Sequence, residues 1–290
     1  EIEVCASGLN FKDIARFAGL VKKNETGGGL LGLECAGTVV SCGSDVATLR
    51  PGDRVVGLAR GAFSSHVTGD ARLFVRVPDP ISFEEAATLP VAFLSAWYAL
   101  VHLAEIKRGE TVLIHSASGG FGLAAVQVAR LRGARILATA GSLEKRLFLS
   151  RLGIEYVGDS RSLTFVEEVR DLLGGNRVDV ILNTLPEEAL EKSLSLLTPV
   201  RGRCIDLANL HAGGSLPLSS LKKGVQFSAF DLESILFYEQ DLVSDILENV
   251  MISIVAGKLN PIPFRCFSCG EAEQALAFMK SARHIGKVLL

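Results

Sequence analysis

Residues 111–132 read T-V-L-I-H-S-A-S-G-G-F-G-L-A-A-V-Q-V-A-R-L-R. A short apolar run is followed by a turn containing Ala117-x-Gly119-x-x-Gly122 and then by a helical pattern. In this context a G-x-G-x-x-G-like motif indicates dinucleotide binding, because bare backbone approaches a pyrophosphate and the helix N-terminus offers N–H groups to it. An ordinary tight turn would have to explain three small residues at these offsets. The residues that we assign to the cofactor here are Ser118, Gly119, Gly120, Phe121 and Gly122.

Strand and helix patterns alternate around this stretch, from residue 96 to residue 231. Apolar strands are predicted at residues 111–115, 135–140, 155–158, 178–185, 203–208 and 225–232, and helices at 142–152, 163–173 and 186–197. Such alternation predicts an α/β fold, a doubly wound parallel sheet with helices on both faces. Its ligand should lie outside the carboxyl ends of the strands.

The two ends of the chain have a different character. Residues 1–95 are rich in glycine and short strands, with turns such as the one at residues 51–53, which indicates a β-rich lobe. Residues 239–256 and 271–281 have helical patterns, with an extended stretch at 261–267 and a last strand at 287–290. We expect this last segment to return to the first lobe, so that residues 1–95 and 232–290 form one domain and residues 96–231 the other.

Composition narrows the function classes. The chain has 290 residues, of which 48% are apolar and 21% charged, as in soluble α/β proteins. A net charge of −2 gives no electrostatic case for nucleic acid or an anionic membrane. The most apolar window, residues 89–104, is short and interrupted, so we expect a buried helix rather than a membrane span. Six scattered cysteines indicate no disulfide framework and a reducing, cytoplasmic compartment. The chain begins in an apparent strand and stops directly after an apolar run, so we expect a piece of a longer polypeptide.

The end of the second cofactor-domain strand indicates which nicotinamide cofactor is used. NAD enzymes place an acidic residue there to bind the ribose 2′-OH. This chain instead has Ala140-Gly141-Ser142, followed by Lys145 and Arg146. Two cations and a hydroxyl suit a 2′-phosphate, which predicts NADPH rather than NADH. The alternative is a solvated helix face on which Glu144 is the local partner of the cations.

Eight motifs in a fixed order resemble a known family. They are L-N-F-K-D at 9–13, G-L-E-C-A-G at 32–37, G-D-R-V at 52–55, H-S-A-S-G-G-F-G at 115–122, A-T-A-G-S-L-E-K-R at 138–146, D-S-R at 159–161, L-N-T-L at 182–185 and H-I-G-K at 284–287. Over essentially the whole chain, this pattern resembles the enoyl reductase domain of polyketide synthases and animal fatty-acid synthases, in the medium-chain dehydrogenase/reductase superfamily. The resemblance implies a Rossmann domain and a GroES-like substrate domain. It also implies NADPH-dependent reduction of an α,β-unsaturated thioester on an acyl carrier protein, with neighbouring synthase domains in the same polypeptide.

The resemblance also carries site residues onto this chain. Ser160 and Arg161 are expected at the adenine ribose phosphate, and Asn183 near the nicotinamide ribose. Lys287 is expected at the cofactor diphosphate or nicotinamide side, with an ordinary surface lysine as the alternative. His115, before the glycine turn, is expected to be packed or solvent-linked rather than catalytic.

On the substrate side the resemblance implies Asn10 and Val21. Val21 stands eight residues after Asp13, where many relatives have a tyrosine that helps select the face on which C-α is protonated. Relatives with valine there tend to give the opposite methyl configuration. The following residues, K-K-N-E-T-G-G-G, depart from the usual pattern, so a plain apolar loop residue is the alternative. The resemblance also places Asp13 on the substrate side, with a helix cap or turn residue as the alternative.

The catalytic pair departs from the family pattern. Relatives carry a lysine after the fifth strand as proposed proton donor and an aspartate after the sixth as its partner. Asp231 matches the aspartate, but Asn209 occupies the lysine position. An amide has no titratable proton near neutral pH, so Asn209 cannot be a general acid, although it can bind an enolate oxygen or orient a water.

Three outcomes are open at Asn209. Water or another group protonates C-α and reduction is normal. Alternatively, the enolate displaces a leaving group at C-γ and closes a three-membered ring. The third possibility is an inactive docking domain of a megasynthase. A zinc-free quinone reductase, with the same fold and glycine turn, is a competing enzyme class.

The resemblance also bears on metal use. Zinc-dependent relatives carry G-H-E where this chain has Gly32-Leu33-Glu34, so a ligand histidine is missing. Cys266-x-x-Cys269 has metal-like spacing but no second pair. We therefore predict a zinc-free enzyme with no bound metal.

Overall fold

The computed structural model describes residues 1–19, 30–175, 177–207, 221 and 223–290. The chain divides into two compact units. The first comprises Glu1–Leu94 and Leu236–Leu290, and the second comprises Ser95–Ile235.

The elements follow one another along the chain in this order. The strands are β1 (Ile2–Leu9), β2 (Glu34–Val39), β3 (Arg54–Leu58), β4 (His66–Val67), β5 (Phe74–Arg76), β6 (Thr111–Ile114), β7 (Arg135–Ala140), β8 (Tyr156–Asp159), β9 (Val180–Asn183), β10 (Arg203–Asp206), β11 (Gln226–Ala229), β12 (Phe264–Cys266) and β13 (Lys287–Leu289). The α-helices are α1 (Phe11–Phe17), α2 (Phe83–Ala87), α3 (Pro90–Trp97), α4 (Gly120–Leu131), α5 (Leu143–Arg151), α6 (Phe165–Leu173), α7 (Glu187–Leu194), α8 (Leu232–Tyr238), α9 (Gln240–Val255) and α10 (Ala272–Lys280).

The second unit contains the predicted parallel sheet. Its strand order is β11-β10-β9-β6-β7-β8, and every neighbouring pair is parallel. The direction of winding reverses between β6 and β9, which is the topological switch point where such sheets bind ligands. The six strands predicted from the sequence are all present, and the α/β fold class is confirmed.

Apolar side chains on the strands and helices of this unit form its core. Leu113 and Ile181 from the sheet pack in one cluster with Phe165 and Val169 of α6, and all four are 0% exposed. Helix α4 buries both apolar and small residues, so it lies close against the sheet. This packing fixes the β6–α4 turn at the carboxyl edge.

The first unit is built around a β-sheet that joins both ends of the chain. Its order is β12-β13-β1-β2-β3-β5, and β4 also pairs with β1. Strand β13 pairs antiparallel with β1, with Gly8 opposite Leu289. The last strand of the chain therefore pairs with its first strand.

One helical stretch, residues 83–103, is long and apolar enough to cross a membrane by length and composition. However, 67% of its most apolar window is buried inside the protein. Phe93, Leu94 and Leu100 in this stretch are 0% exposed. This burial favours the core-helix interpretation of the apolar window.

Candidate active site

The glycine turn lies at the switch point of the parallel sheet. After β6, the N–H of His115 donates to the Leu182 carbonyl (3.1 Å) and that of Ala117 donates to the Thr139 carbonyl (3.0 Å). Ser116 between them has a φ of 50°, a left-handed conformation that is uncommon for a residue with a side chain. The chain is thereby held in a tight loop that turns directly into α4.

The N-terminus of α4 is left without a side-chain cap. Its N-cap is Gly119, which provides no side-chain hydrogen bond. A Cβ at Gly119 would meet only the Ser116 carbonyl oxygen, at 3.7 Å, whereas a Cβ at Gly122 would lie 2.5 Å from the Ala117 Cα. Gly122 therefore lets the helix pack on the loop, and Gly119 keeps backbone open to a ligand. These are the two roles that glycines have in a pyrophosphate-binding turn.

A cluster of cations lies beside this turn, after strands β7 and β8. We name Lys145, Arg146 and Arg161 the ribose-side cluster. The Ser142 hydroxyl caps α5 by accepting from the Lys145 N–H (3.3 Å). A Cβ at Gly141 would lie 3.0 Å from the Arg161 Nε and 3.4 Å from the Ser160 hydroxyl, so both side chains reach over the bare backbone of this glycine.

The ribose-side cluster combines its cations with a carboxylate. Arg146 Nη1 lies 2.8 Å from Asp159 Oδ2, so its ion-pair partner is Asp159 and not the Glu144 of the alternative interpretation. Burial, followed by repulsion from Arg161, lowers the pKa of Lys145. Cations gathered closely enough to repel one another produce a positive site that suits a phosphate. The structure thus brings together Ser142, Lys145, Arg146, Ser160 and Arg161, and their contact with a cofactor stays a prediction.

Asn183 ends β9, as predicted, but its amide is fully used within the protein. Its Nδ2 donates to the Asp206 carboxylate (2.7 Å) and to the Leu185 carbonyl (3.0 Å), while its Oδ1 accepts from the Leu185 N–H (3.2 Å). The next residue differs, because the buried Thr184 hydroxyl has no hydrogen-bond partner among the described residues. Thr184 is thus a better candidate for a ligand contact at this edge. The sequence pattern does not single out Thr184, although this residue lies inside the L-N-T-L motif at 182–185.

His115 is packed, as predicted. It is 0% exposed, and its ring nitrogens lie 2.9 Å from the Thr139 and Ser193 hydroxyls. Burial lowers the pKa of His115 to about 3, so the ring is neutral at physiological pH. It braces the sheet under the turn and is not a proton donor near neutral pH.

In the first unit, Lys287 lies at the centre of a buried polar cluster. Its ammonium donates to Glu34 Oε1 (2.5 Å), Asn10 Oδ1 (2.8 Å) and the Leu9 carbonyl (3.1 Å). Lys287 is 5% exposed, so the surface-lysine alternative is wrong. A contact with the cofactor stays a prediction, but it would require the ammonium, which has three N–H donors, to give up one of these oxygens.

Glu34 and Asn10 complete this cluster. Glu34 is 0% exposed; its Oε1 also accepts from Asn10 Nδ2 (2.9 Å) and its Oε2 from the Val91 N–H (2.8 Å). The Asn10 side chain is therefore held at both its oxygen and its nitrogen. Glu34 belongs to the G-L-E-C-A-G motif, but nothing in the motif predicts that this carboxylate organises the site.

Asp13 fixes the loop beside the cluster. Its carboxylate accepts from the Asn10 N–H (2.8 Å) and from the Gly32 N–H (2.9 Å), which confirms the capping interpretation. Burial raises the pKa of Asp13. Gly32 has a φ of 84°, and a Cβ there would lie 2.6 Å from the Phe63 backbone nitrogen, so glycine is required at this turn.

Of the predicted catalytic pair, the structure describes only Asp231. This residue immediately precedes α8, and its Oδ2 accepts from both the N–H and the hydroxyl of Ser234, each at 3.1 Å. Asn209 and Val21 lie outside the described residues.

The donor set in the first unit does not fit a zinc ion. Leu33 supplies no ligand atom, and the Glu34 carboxylate is already engaged by an ammonium, an amide and a backbone N–H. Within the described ranges, no group of three or more His, Cys, Asp or Glu residues could hold a metal ion. All six cysteines are unpaired, and Cys266 and Cys269 are exposed. The zinc-free character stays a prediction.

Two protein-family models match the chain. One, described as an alcohol dehydrogenase GroES-like domain, matches residues 1–79. The other, described as a zinc-binding dehydrogenase, matches residues 120–248. Together they confirm a GroES-like domain followed by a Rossmann-like one.

Similar proteins come from polyketide biosynthesis. A component of the phenolphthiocerol/phthiocerol polyketide synthase of Mycobacterium tuberculosis is 40% identical over 100% of this chain, which spans 13% of that protein's length. The CurK enoyl reductase structure is 39% identical, covers 99% of this chain and 89% of its own, and has a TM-score of 0.92.

Two further structures bear on the alternatives. The CurF enoyl reductase cyclopropanase from the curacin A pathway is 32% identical, with 99% and 89% of the two chains covered and a TM-score of 0.90. The Escherichia coli quinone oxidoreductase complexed with NADPH is 29% identical, with 100% and 90% covered and a TM-score of 0.87.

The match to CurK extends over both units, with the glycine turn in one and the G-L-E and H-I-G-K segments in the other. The chain therefore belongs to the enoyl reductase domains of polyketide synthases, in the medium-chain dehydrogenase/reductase family.

Proposed function

We propose that this reductase domain uses NADPH to reduce an α,β-unsaturated acyl thioester carried on an acyl carrier protein. The observation that carries the cofactor part is the ribose-side cluster, where Lys145, Arg146 and Arg161 converge next to an uncapped helix N-terminus. The substrate part is supported by the similarity to an enoyl reductase over both units.

The glycine turn and the ribose-side cluster would hold the cofactor. The open backbone at Gly119 and Gly120 suits the diphosphate, while Ser142, Ser160 and the ribose-side cluster suit the 2′-phosphate. Thr184 offers a hydroxyl at the switch point. When bound, the nicotinamide supplies a hydride to C-β of the thioester.

The chain's own residues then act on the charge that develops on the thioester oxygen and on the proton that C-α must receive. We assign Asp231 to orienting the proton source and Asn209 to donating an amide hydrogen bond to the enolate oxygen or to a water. Since an amide has no titratable proton at neutral pH, Asn209 cannot supply the proton, and we assign the proton to water.

Ring closure is the second candidate, and two observations favour it. Asn209 removes the acid that would quench the enolate at C-α. CurF, which is 32% identical to this chain and has a similar fold, is named as a cyclopropanase. With a leaving group at C-γ, the C-α carbanion would attack C-γ, form one carbon–carbon bond and expel the leaving group with its electron pair.

Two further candidate functions are a quinone reductase and an inactive docking domain. A quinone reductase is supported by the similarity to the Escherichia coli enzyme, and an inactive docking domain would retain the fold without turnover.

The chain spans between 8% and 13% of the length of the curated relatives that it matches, which supports neighbouring synthase domains and an acyl carrier protein as partners. A cytoplasmic location is proposed from the unpaired cysteines.

Mass spectrometry of products made with C4-deuterated NADPH tests these candidates. We expect crotonyl-pantetheine to gain one deuterium at C-β and one solvent proton at C-α. A γ-chloro analogue that loses chloride and gains a ring would instead establish cyclisation. Turnover of a quinone but no thioester would establish the quinone reductase, and absence of saturable NADPH binding would establish the docking domain.

The Asn209→Lys variant tests the missing acid. If lack of an acid limits the rate, this variant should reduce crotonyl-pantetheine faster and give less ring product from the γ-chloro analogue. Asn209→Ala is the matched control, because it removes the amide without adding an acid. Slower reduction by the lysine variant than by the wild type would contradict this account of Asn209.

A further inference from the structure

The first unit contains a cavity of about 260 Å³. Its apolar floor comes from Leu33, Leu58 and Leu73, each less than a tenth exposed. Leu236 and Phe237 of α8 form its other wall. Phe237 is 60% exposed, so this wall is one that a ligand can reach from solvent.

The rim of the cavity is polar and presents mainly hydrogen-bond donors. Arg60, Thr68 and Gln240 line it. The described part of the chain gives Arg60 no ion-pair partner. The Gln240 side-chain oxygen accepts from Arg72, which leaves the amide NH₂ to donate. A bound molecule would therefore complete this rim by supplying acceptor oxygens.

The charge of the acidic group at the rim, the Asp70 carboxylate, is already balanced by an arginine. Arg72 donates to both carboxylate oxygens of Asp70 (3.2 and 2.7 Å) and pairs with Asp241 (3.1 Å). Hydrogen bonding from Arg72 holds the pKa of Asp70 below its usual value. The same arginine ties the start of α9 to the turn at Asp70, so the cavity wall is held in place.

The cavity begins one residue from the proposed substrate side. Leu33 lines it, and the next residue, Glu34, binds Asn10 and Lys287. Gly32 sets this position, because its positive φ and its close approach to Phe63 exclude a side chain. An acyl chain that extends along this segment would therefore meet both the apolar floor and the rim of donors.

We propose that this cavity is the subsite for the distal acyl chain, and that its rim selects chains with an oxygen on the δ-carbon. The proposal rests on the proposed reduction of an acyl thioester. Apolar walls suit methylene and methyl groups, while Arg60, Thr68 and Gln240 suit a hydroxyl or ether oxygen. Assembly from two-carbon units leaves oxygens on alternate carbons, so the δ-carbon is where an earlier cycle leaves one.

The test compares kcat/KM for crotonyl-pantetheine, trans-octenoyl-pantetheine and the δ-hydroxy derivative of the latter. Ala59→Phe fills the cavity, and it should lower kcat/KM about tenfold for both long chains while leaving crotonyl-pantetheine within about twofold. Arg60→Ala should lower it about tenfold for the δ-hydroxy chain alone. Arg50→Ala, an exposed arginine outside the cavity, is the matched control and should change none of the three.

Phe237→Ala is a second cavity variant that keeps the test valid if the Ala59→Phe protein misfolds. Phe237 is largely exposed, so its removal should leave the core intact. It should also weaken selection for long chains. Losses that are equal for all three substrates, or absent for all, would overturn the subsite.

Calorimetric binding of saturated octanoyl-pantetheine separates this proposal from the proposed function. If the wild type reduces no thioester, the proposed function fails, and weaker octanoyl-pantetheine binding by Ala59→Phe still supports the subsite. If the wild type reduces thioesters but Ala59→Phe binds octanoyl-pantetheine as tightly as the wild type does, the subsite fails and the function stands.

Discussion

At the scale of single residues, the ribose-side cluster depends on one absent side chain. Gly141 leaves room for Arg161 and Ser160 over the backbone, while Lys145 and Arg146 approach from α5. Any larger residue at position 141 would push Arg161 away. The proposed preference for NADPH therefore depends on a glycine as much as on the cations that this glycine admits.

Replacing Lys145 and Arg146 together by alanine should weaken NADPH binding by about 100-fold or more and NADH binding by less than about threefold. The reason is that charge-assisted bonds to phosphate are strong, and NADH has no 2′-phosphate to lose them. Fluorescence titration with both cofactors measures this. Arg151→Ala, at the far end of α5, is the control. Equal losses for both cofactors would contradict a 2′-phosphate site.

His115 should make stability pH-dependent. Its folded pKa of about 3 lies below the ordinary histidine value of 6.5, so the unfolded state binds more protons between these values. The free energy of unfolding should be highest above pH 6.5 and fall as pH falls toward 3, by up to about 5 kcal/mol. Urea denaturation across this range measures it. His115→Gln should flatten the slope and exposed His66→Gln should not; an unchanged slope in His115→Gln would rule the account out.

At the scale of elements, the β6–α4 turn divides two tasks between two glycines. Gly122 faces the Ala117 backbone and permits packing, while Gly119 faces open space where a diphosphate would lie. The sequence motif treats them alike, and only the surrounding atoms separate their roles.

Alanine substitutions should separate these tasks. Gly122→Ala should cost about 1–3 kcal/mol of stability through overpacking and also weaken NADPH binding. Gly119→Ala should leave the melting temperature of the free protein within about 2 °C but raise the Kd for NADPH about tenfold, since its Cβ obstructs only the ligand. Calorimetry and fluorescence titration measure the two quantities. A destabilised Gly119→Ala protein with normal NADPH affinity would reverse the assignment.

At the scale of the whole molecule, the local sequence pattern predicted the positions of the strands better than the contacts within the site. The strand at residues 135–140 matches β7 at both ends, because apolar run and flanking glycine both mark it. The partners of Lys287 were beyond reach, because Glu34 lies 253 residues away and only the return of β13 to β1 brings them together. Thr184 was missed for a related reason, since an unpartnered hydroxyl is visible only once its neighbours are placed.

The Lys287–Glu34 pair should therefore stabilise the closure of the two chain ends. Lys287→Met leaves a buried carboxylate without its ammonium, which should cost about 3–5 kcal/mol. The Glu34→Gln and Lys287→Met double variant should recover much of that loss, because no unpaired charge remains. Breaking the exposed Arg135–Glu155 pair with Arg135→Met is the matched control and should cost about 1 kcal/mol or less. Urea denaturation measures all four proteins. A double variant no more stable than Lys287→Met alone would mean that the lysine acts by packing of its stem, and the ends would then be held by the β1–β13 pairing rather than by charge.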